Sequence, residues 1–259
     1  LEDRLGFALF VREGRRLRLT AKGERLAVRV QAALDYLTTE IAALAEDGTS
    51  RSVAIAASAS VSHLWLSPRL RGFGDAHPDV PIRLLTTDAL AELASEAHDL
   101  TILYSRGAAP GWSLSLLLPE ELVPVASPAY LARKGLVEQG VDLSAAEIAA
   151  LDLYDYRRAN AYWVSLRGWF LAKAPELGSV RPRMIFSTYA MAVEAALRGD
   201  GVVLGSRHML AETLASGALV EVSRDVLTSG FGYYLGVPTD RVISPAAHAL
   251  ADYLRLRTG

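Results

Sequence analysis

The chain has 259 residues, 51% of them hydrophobic and 22% charged, which is enough to bury a sizeable core in one or two domains. It contains no cysteine, so disulfides, thiolate metal sites and thiol nucleophiles are excluded, and a reducing, cytoplasmic setting is expected. The net charge of −2 is unevenly spread: residues 1–30 hold eight basic and four acidic side chains, a net of +4 that leaves −6 for the remainder. A basic head on a mildly acidic body is expected where one end meets phosphate backbone.

Leu1 to Leu5 predict the end of a helix, with Gly6 as the residue that stops it, and a leading segment is expected upstream because the chain starts mid-helix without Met. Phe10-Val11-Arg12 and Leu17-Arg18-Leu19 flank Glu13-Gly14-Arg15-Arg16, a hairpin with arginines at its tip, as a DNA-binding wing requires. Thr20 offers an N-cap hydroxyl to a long helix reaching about Glu46. Leu26, Val30, Ala33, Leu37, Ile41 and Leu44 are spaced 4, 3, 4, 4 and 3 residues apart, the narrow stripe of a helix that pairs with another. Packing on its own domain is the alternative for this stripe.

After a break at Asp47-Gly48-Thr49-Ser50, strands and helices alternate. Strands are expected at Val53 to Ala57, Ile82 to Thr86, Leu100 to Tyr104 and Leu122 to Ala126, with helices at Leu64 to Phe73, Leu90 to Ala97 and Ser127 to Lys134. The second half repeats the theme with a strand at Arg183 to Phe186, a helix from Thr188 to Arg198 and a strand at Val202 to Leu204 entering Gly205. A strand at Gly232 to Val237 and an amphipathic helix from Ala246 to Arg257 close the chain. The alternation predicts an α/β domain with largely parallel strands.

No stretch approaches the ~20 apolar residues of a membrane span, so no membrane partner is expected. Nucleophile-elbow, phosphate-loop and cysteine-nucleophile signatures are all lacking, so no enzyme is predicted. Gly199-Asp200-Gly201 follows a helix and precedes a strand, the wrong order for a dinucleotide loop, and reads as a helix stop. His63 and His77 lack metal-ligand spacing, so neither a metal nor a cofactor is expected.

The run Leu1-Glu2-Asp3-x-Leu5-Gly6-x-x-Leu9-Phe10-x-Arg12, followed by Leu19-Thr20-x-x-Gly23, resembles the end of the DNA-binding domain of LysR-type transcriptional regulators. The likeness continues through Ser60-Val61-Ser62-x-x-Trp65-Leu66-x-Pro68-Arg69-Leu70, Pro124-Val125-Ala126-Ser127-Pro128 and Ala195-Ala196-Leu197-x-Gly199-x-Gly201-Val202. These segments are similar to the subgroup holding the glycine-cleavage activator and the β-lactamase regulators. The stretch Tyr154 to Trp163 departs from the subgroup's pattern, and only Trp169 fits its paired-tryptophan motif.

The resemblance implies a winged helix-turn-helix whose N-terminal part precedes Leu1, ending at residue 19, and a dimerising linker helix at 20–47. An α/β effector domain with the two-lobed type II periplasmic-binding-protein-like fold follows. Lobe 1 is expected from 51–124 and 229–259, and lobe 2 from 125–228, with a small-molecule cleft between them. Arg12, Arg15, Arg16, Arg18 and Lys22 would contact DNA phosphates, and Leu26, Val30, Leu37, Ile41 and Leu44 would pair the helices.

Within the cleft, Ser58, Ser60, Val61, Ser127, Ser187 and Thr188 fall between a strand and a helix, where hydroxyls and free N–H groups can meet a small polar metabolite such as a carboxylate. Ordinary N-capping is the plainer alternative for each hydroxyl. Thr87 and Tyr104 would line one wall, and Tyr189 and Gly205 the other. Expected partners are operator DNA, a small-molecule effector of unknown identity, further copies as homodimer or homotetramer, and RNA polymerase. A stand-alone solute-binding protein is the alternative function.

Overall fold

A computed structural model of the chain describes residues 1–13, 16–27, 30, 34, 52–95, 98–136, 142–157, 162–178 and 180–257. The chain divides into two compact units, Leu1–Ser50 and Arg51–Gly259.

In the first unit, α1 (Glu2–Leu5) ends at Gly6, whose φ of 72° is the left-handed conformation that a residue without Cβ adopts freely. The strands β1 (Phe10–Glu13) and β2 (Arg16–Leu19) pair antiparallel with Phe10 opposite Leu19, which is the expected hairpin. The Glu2 carboxylate accepts from the backbone N–H groups of Leu9 and of Phe10, the latter at 2.9 Å, tying α1 to the start of β1. These bonds hold that carboxyl below its ordinary range.

Thr20 caps α2 (residues 21–27), its Oγ1 accepting from Gly23 N–H at 3.0 Å. A Cβ on Gly23 would lie 2.1 Å from the Leu9 carbonyl oxygen, so glycine here permits a close backbone approach. Arg15, Leu37, Ile41 and Leu44 lie outside the described residues.

The second unit is built on a seven-stranded sheet in the order β10 (Val220–Glu221), β6 (Trp112–Ala126), β11 (Leu227–Pro238), β5 (Leu100–Ser105), β3 (Val53–Ala57) and β4 (Ile82–Thr86), with β9 (Val203–Ser206) also on β6. The strand β3 (Val53–Ala57) is buried throughout and leads into a helical run made of α3 (Ala59–Val61), a wider π-turn (Ser62–Leu66) and α4 (Ser67–Ala76). Next come β4 (Ile82–Thr86), α5 (Leu90–Leu93), β5 (Leu100–Ser105) and β6 (Trp112–Ala126). Then follow α6 (Pro128–Arg133), α7 (Ala145–Ala149), β7 (Tyr154–Tyr156), α8 (Leu166–Lys173) and β8 (Met184–Phe186). The chain closes with α9 (Tyr189–Leu197), β9 (Val203–Ser206), α10 (Ala211–Ala215), β10 (Val220–Glu221), β11 (Leu227–Pro238) and α11 (Pro245–Arg255).

The expectation of a largely parallel sheet is corrected. Within the seven-stranded sheet only β3–β4 and β3–β5 pair in parallel, whereas β11 runs antiparallel to β5 and β6, and β6 antiparallel to β9 and β10; the separate pair β7–β8 is parallel. The cause is the length of β6 and β11, 15 and 12 residues, which pass beside each other in opposite directions instead of returning through a crossover helix.

Two main apolar clusters fill the unit. One packs Trp65, Phe73 and Leu250 with β3 and β5, and the other packs Trp169, Phe170, Tyr130 and Ile148. Gly199, at φ 84°, stops α9 as its position suggested. Gly201 permits close passage, since a Cβ there would lie 2.0 Å from the Asp152 carbonyl oxygen.

Candidate functional site

The site forms where β6 and β11 lose register. Glu121 pairs with Thr228 and Pro119 with Gly232, so Glu120 alone faces the three residues 229–231, a bulge that includes Gly230 at φ 73°. Glu120 is 5% exposed. It lines a small cavity, partly open to solvent, with Ser60, Tyr156, Trp163, Tyr189, Ser206 and Tyr233 around it. A second small cavity, also partly open, shares Trp163 and Tyr233 and is lined by Ser58, Asp88 and Tyr104.

Ser206 sits at the end of β9 and donates its hydroxyl to Glu120 Oε1 at 2.7 Å, while its backbone N–H donates to the Tyr189 hydroxyl at 2.7 Å. Burial pushes the Glu120 carboxyl up to about 7, against the hydrogen bonds from Ser206 and Tyr104 that favour the charged form. Tyr104, Tyr156, Tyr189 and Tyr233 all titrate above the usual phenol range, each chiefly because of burial. They therefore meet the carboxyl as neutral hydroxyls. Ring contacts knit the wall together: Tyr104 lies 5.1 Å from Tyr233 and 6.5 Å from Trp163, and Tyr156 lies 6.4 Å from Trp163 and 5.2 Å from Tyr189.

Of the residues expected in the cleft, Ser60 and Tyr189 line the first cavity, and Ser58 and Tyr104 the second. Among the described residues the buried Ser58 hydroxyl has no hydrogen-bond partner, and Asp88 Oδ1 accepts from the N–H of Ala59, the first residue of α3, at 3.0 Å. Other residues are engaged elsewhere. Ser127 and Thr188 cap α6 and α9 by accepting from Tyr130 and Met191 N–H. Thr87 Oγ1 accepts from Ala89 N–H within its own turn, and the exposed Ser187 hydroxyl donates to the Met191 sulfur. Val61 is wholly buried in the core, and a Cβ on Gly205 would meet the Val125 methyls at 2.8 and 2.9 Å. Sequence reasoning missed Glu120, Tyr156, Trp163, Ser206 and Tyr233; Pro119-Glu120-Glu121 was the available signal, a proline beside two acids between Leu116-Leu117-Leu118 and Leu122-Val123.

In the first unit, Arg12, Arg18 and Lys22 are exposed, and the Lys22 ammonium lies 4.6 Å above the Phe7 ring. Leu26 is half-buried and Val30 exposed. Among the described residues no group of three or more His, Cys, Asp or Glu side chains is placed to hold a metal, and no helix is long and apolar enough to cross a membrane.

Residues 46–258 match the family model described as the LysR substrate binding domain. This chain belongs to the LysR-type transcriptional regulators. It is 30% identical over 239 residues to the glycine cleavage system transcriptional activator of Escherichia coli K12, covering 91% of this chain and 74% of that protein. The effector domain of the transcriptional regulator AmpR of Pseudomonas aeruginosa is similar at a TM-score of 0.60 and 26% identity, over 80% of this chain and 95% of that one. CrgA, a LysR-type regulator from Neisseria meningitidis, shares the fold at a TM-score of 0.64 and 20% identity, over 100% of this chain and 86% of that one.

LysR-type regulators act in transcription rather than catalysis, and their effector domains have the periplasmic-binding-protein-like α/β fold found in Arg51–Gly259. The family binds DNA and small-molecule effectors rather than cofactors. The alternative of a stand-alone solute-binding protein gives way to this membership.

Proposed function

We propose that this LysR-type regulator senses a small polar metabolite in the cavity between β6, β9 and β11 and answers by changing its hold on operator DNA. The observation that carries the reading is the group of Glu120, Ser206, Ser60 and three tyrosines that line one cavity, polar chemistry maintained inside an apolar fold at the bulge of its longest strands. Lobes of 51–124 with 229–259 and of 125–228 would close over the ligand, and only a ligand that prefers the closed arrangement shifts the balance. Leu26, Val30, Leu37, Ile41 and Leu44 would pair linker helices of two copies in the cytoplasm, as homodimer or homotetramer, with RNA polymerase as a downstream partner.

Ser60→Phe fills the cavity and should abolish the effector response of the intact regulator in a promoter-reporter assay; a response of full size would place sensing elsewhere. For the DNA interface, Arg15→Ala with Arg16→Ala should weaken every operator alike and flatten the salt dependence of binding, by about 0.9 in log–log slope for each phosphate that is no longer neutralised. Anisotropy titrations at several salt concentrations measure this, and a weakening confined to one base position would contradict it.

A further inference from the structure

Resting on that reading of the cavity, we infer that its effector carries a protonated amine, which docks against Glu120 inside a box of aromatic rings. The Glu120 carboxyl is buried, its oxygen Oε1 accepts from Ser206, and among the described residues no Lys, Arg or His pairs with it. Charged side chains on neighbouring segments are engaged with other groups. Arg207 is held by Glu121 at 3.1 Å and Glu221 at 2.7 Å, Asp155 accepts from the backbone N–H groups of Tyr156 and Leu166, and the Arg106 guanidinium lies 4.5 Å above the Phe231 ring.

A buried carboxylate without a counter-ion is expensive, and a bound ammonium supplies that counter-ion while donating to the lone pairs that Ser206 and Tyr104 leave. The walls favour the same ligand. Tyr156, Tyr189, Trp163 and Tyr233 line the cavity with Glu120, and aromatic faces attract cations through their negative quadrupoles. A carboxylate ligand would instead face Glu120 with like charge. The groups that face Glu120, namely Tyr104 from β5, Tyr156 from β7, Tyr189 from α9, Tyr233 from β11 and Ser206 from β9, are hydroxyls that stay neutral near pH 7, so among these described groups the carboxyl is the one that titrates there.

The test uses the 259-residue chain and matched probes: ethanolamine, alanine, serine and β-alanine against ethylene glycol, lactate, glycerate and propionate. At about pH 8, at tens of millimolar, one or more amines should raise the melting temperature and their deaminated counterparts should not. The effect should fade towards about pH 6 as Glu120 takes up its proton. Calorimetry near neutral pH in two buffers of different ionisation enthalpy should show proton release on binding, and Glu120→Gln should weaken binding by about tenfold or more.

Equal shifts from the deaminated set, unchanged affinity in Glu120→Gln, or no shift from any amine would overturn the inference. Binding of the deaminated set that Ser60→Phe removes would keep the cavity as the sensor and discard the amine. Amine binding indifferent to Ser60→Phe would discard the cavity reading and the inference with it.

Discussion

Glu120→Gln should make the ligand-free protein more stable at about pH 8, by up to about 3 kcal/mol, although it removes a charge that Ser206 hydrogen-bonds. The folded-state pKa of about 7 lies above the ordinary 4.5, so the native chain binds this proton more tightly than the unfolded chain does. The associated stability is fully present below about 4.5, is lost as pH rises through about 7, and stays lost above it. Gln keeps the oxygen that accepts from Ser206 and never ionises, so it escapes that loss. Thermal melts of both proteins across this range should show a gap of roughly 5–10 °C at the alkaline end that closes towards the acid end. A constant gap, or a less stable variant at about pH 8, would mean that Glu120 is held ionised without penalty.

The largest loss is expected from Trp169→Ala. Trp169 is wholly buried, stacks edge-on against Phe170 at 5.1 Å between ring centroids, and donates its Nε1–H to the Asp225 carbonyl at 2.8 Å. Truncation opens a cavity in the second apolar cluster and leaves that carbonyl without its donor, which together cost about 3–5 kcal/mol. Trp169→Phe should lose clearly less, because it refills most of the space while still forfeiting the hydrogen bond. Urea melts with matched slopes measure both, and equal losses would show that the hydrogen bond outweighs the packing.

Elements with strong local signatures were legible in the residues. Gly6 and Gly199 mark helix ends, Thr20 marks a helix start, and the β1–β2 hairpin and β4 lie where their patterns put them. The first ten residues of β6 were not, because Ser113, Ser115, Pro119, Glu120 and Glu121 break the apolar pattern of a buried strand. They sit there because the bulge aims Glu120 inward, a relation to β11 about 110 residues distant that no local window contains. Hydroxyls before helices were found readily, yet position alone did not separate Ser127 and Thr188, which cap their own helices, from Ser58, whose buried hydroxyl makes no cap bond to α3. Tyr156 and Trp163 lie in the stretch that departs from the subgroup's pattern, and they are two of the rings around Glu120.

The mismatch between β6 and β11 also makes the sheet unevenly stiff. Pro119 brings no N–H to the ladder, residues 229–231 have no partner across it, and Phe231 N–H turns back to the Ser229 hydroxyl at 3.1 Å. On either side, rungs from Trp112 to Leu116 and from Leu122 to Ala126 are regular enough to act as two rigid plates. Slow amide exchange in the plates and fast exchange at 229–231 is the signature of such a seam, and it places the compliance of the whole sheet beside the one carboxyl that a bound cation would grip.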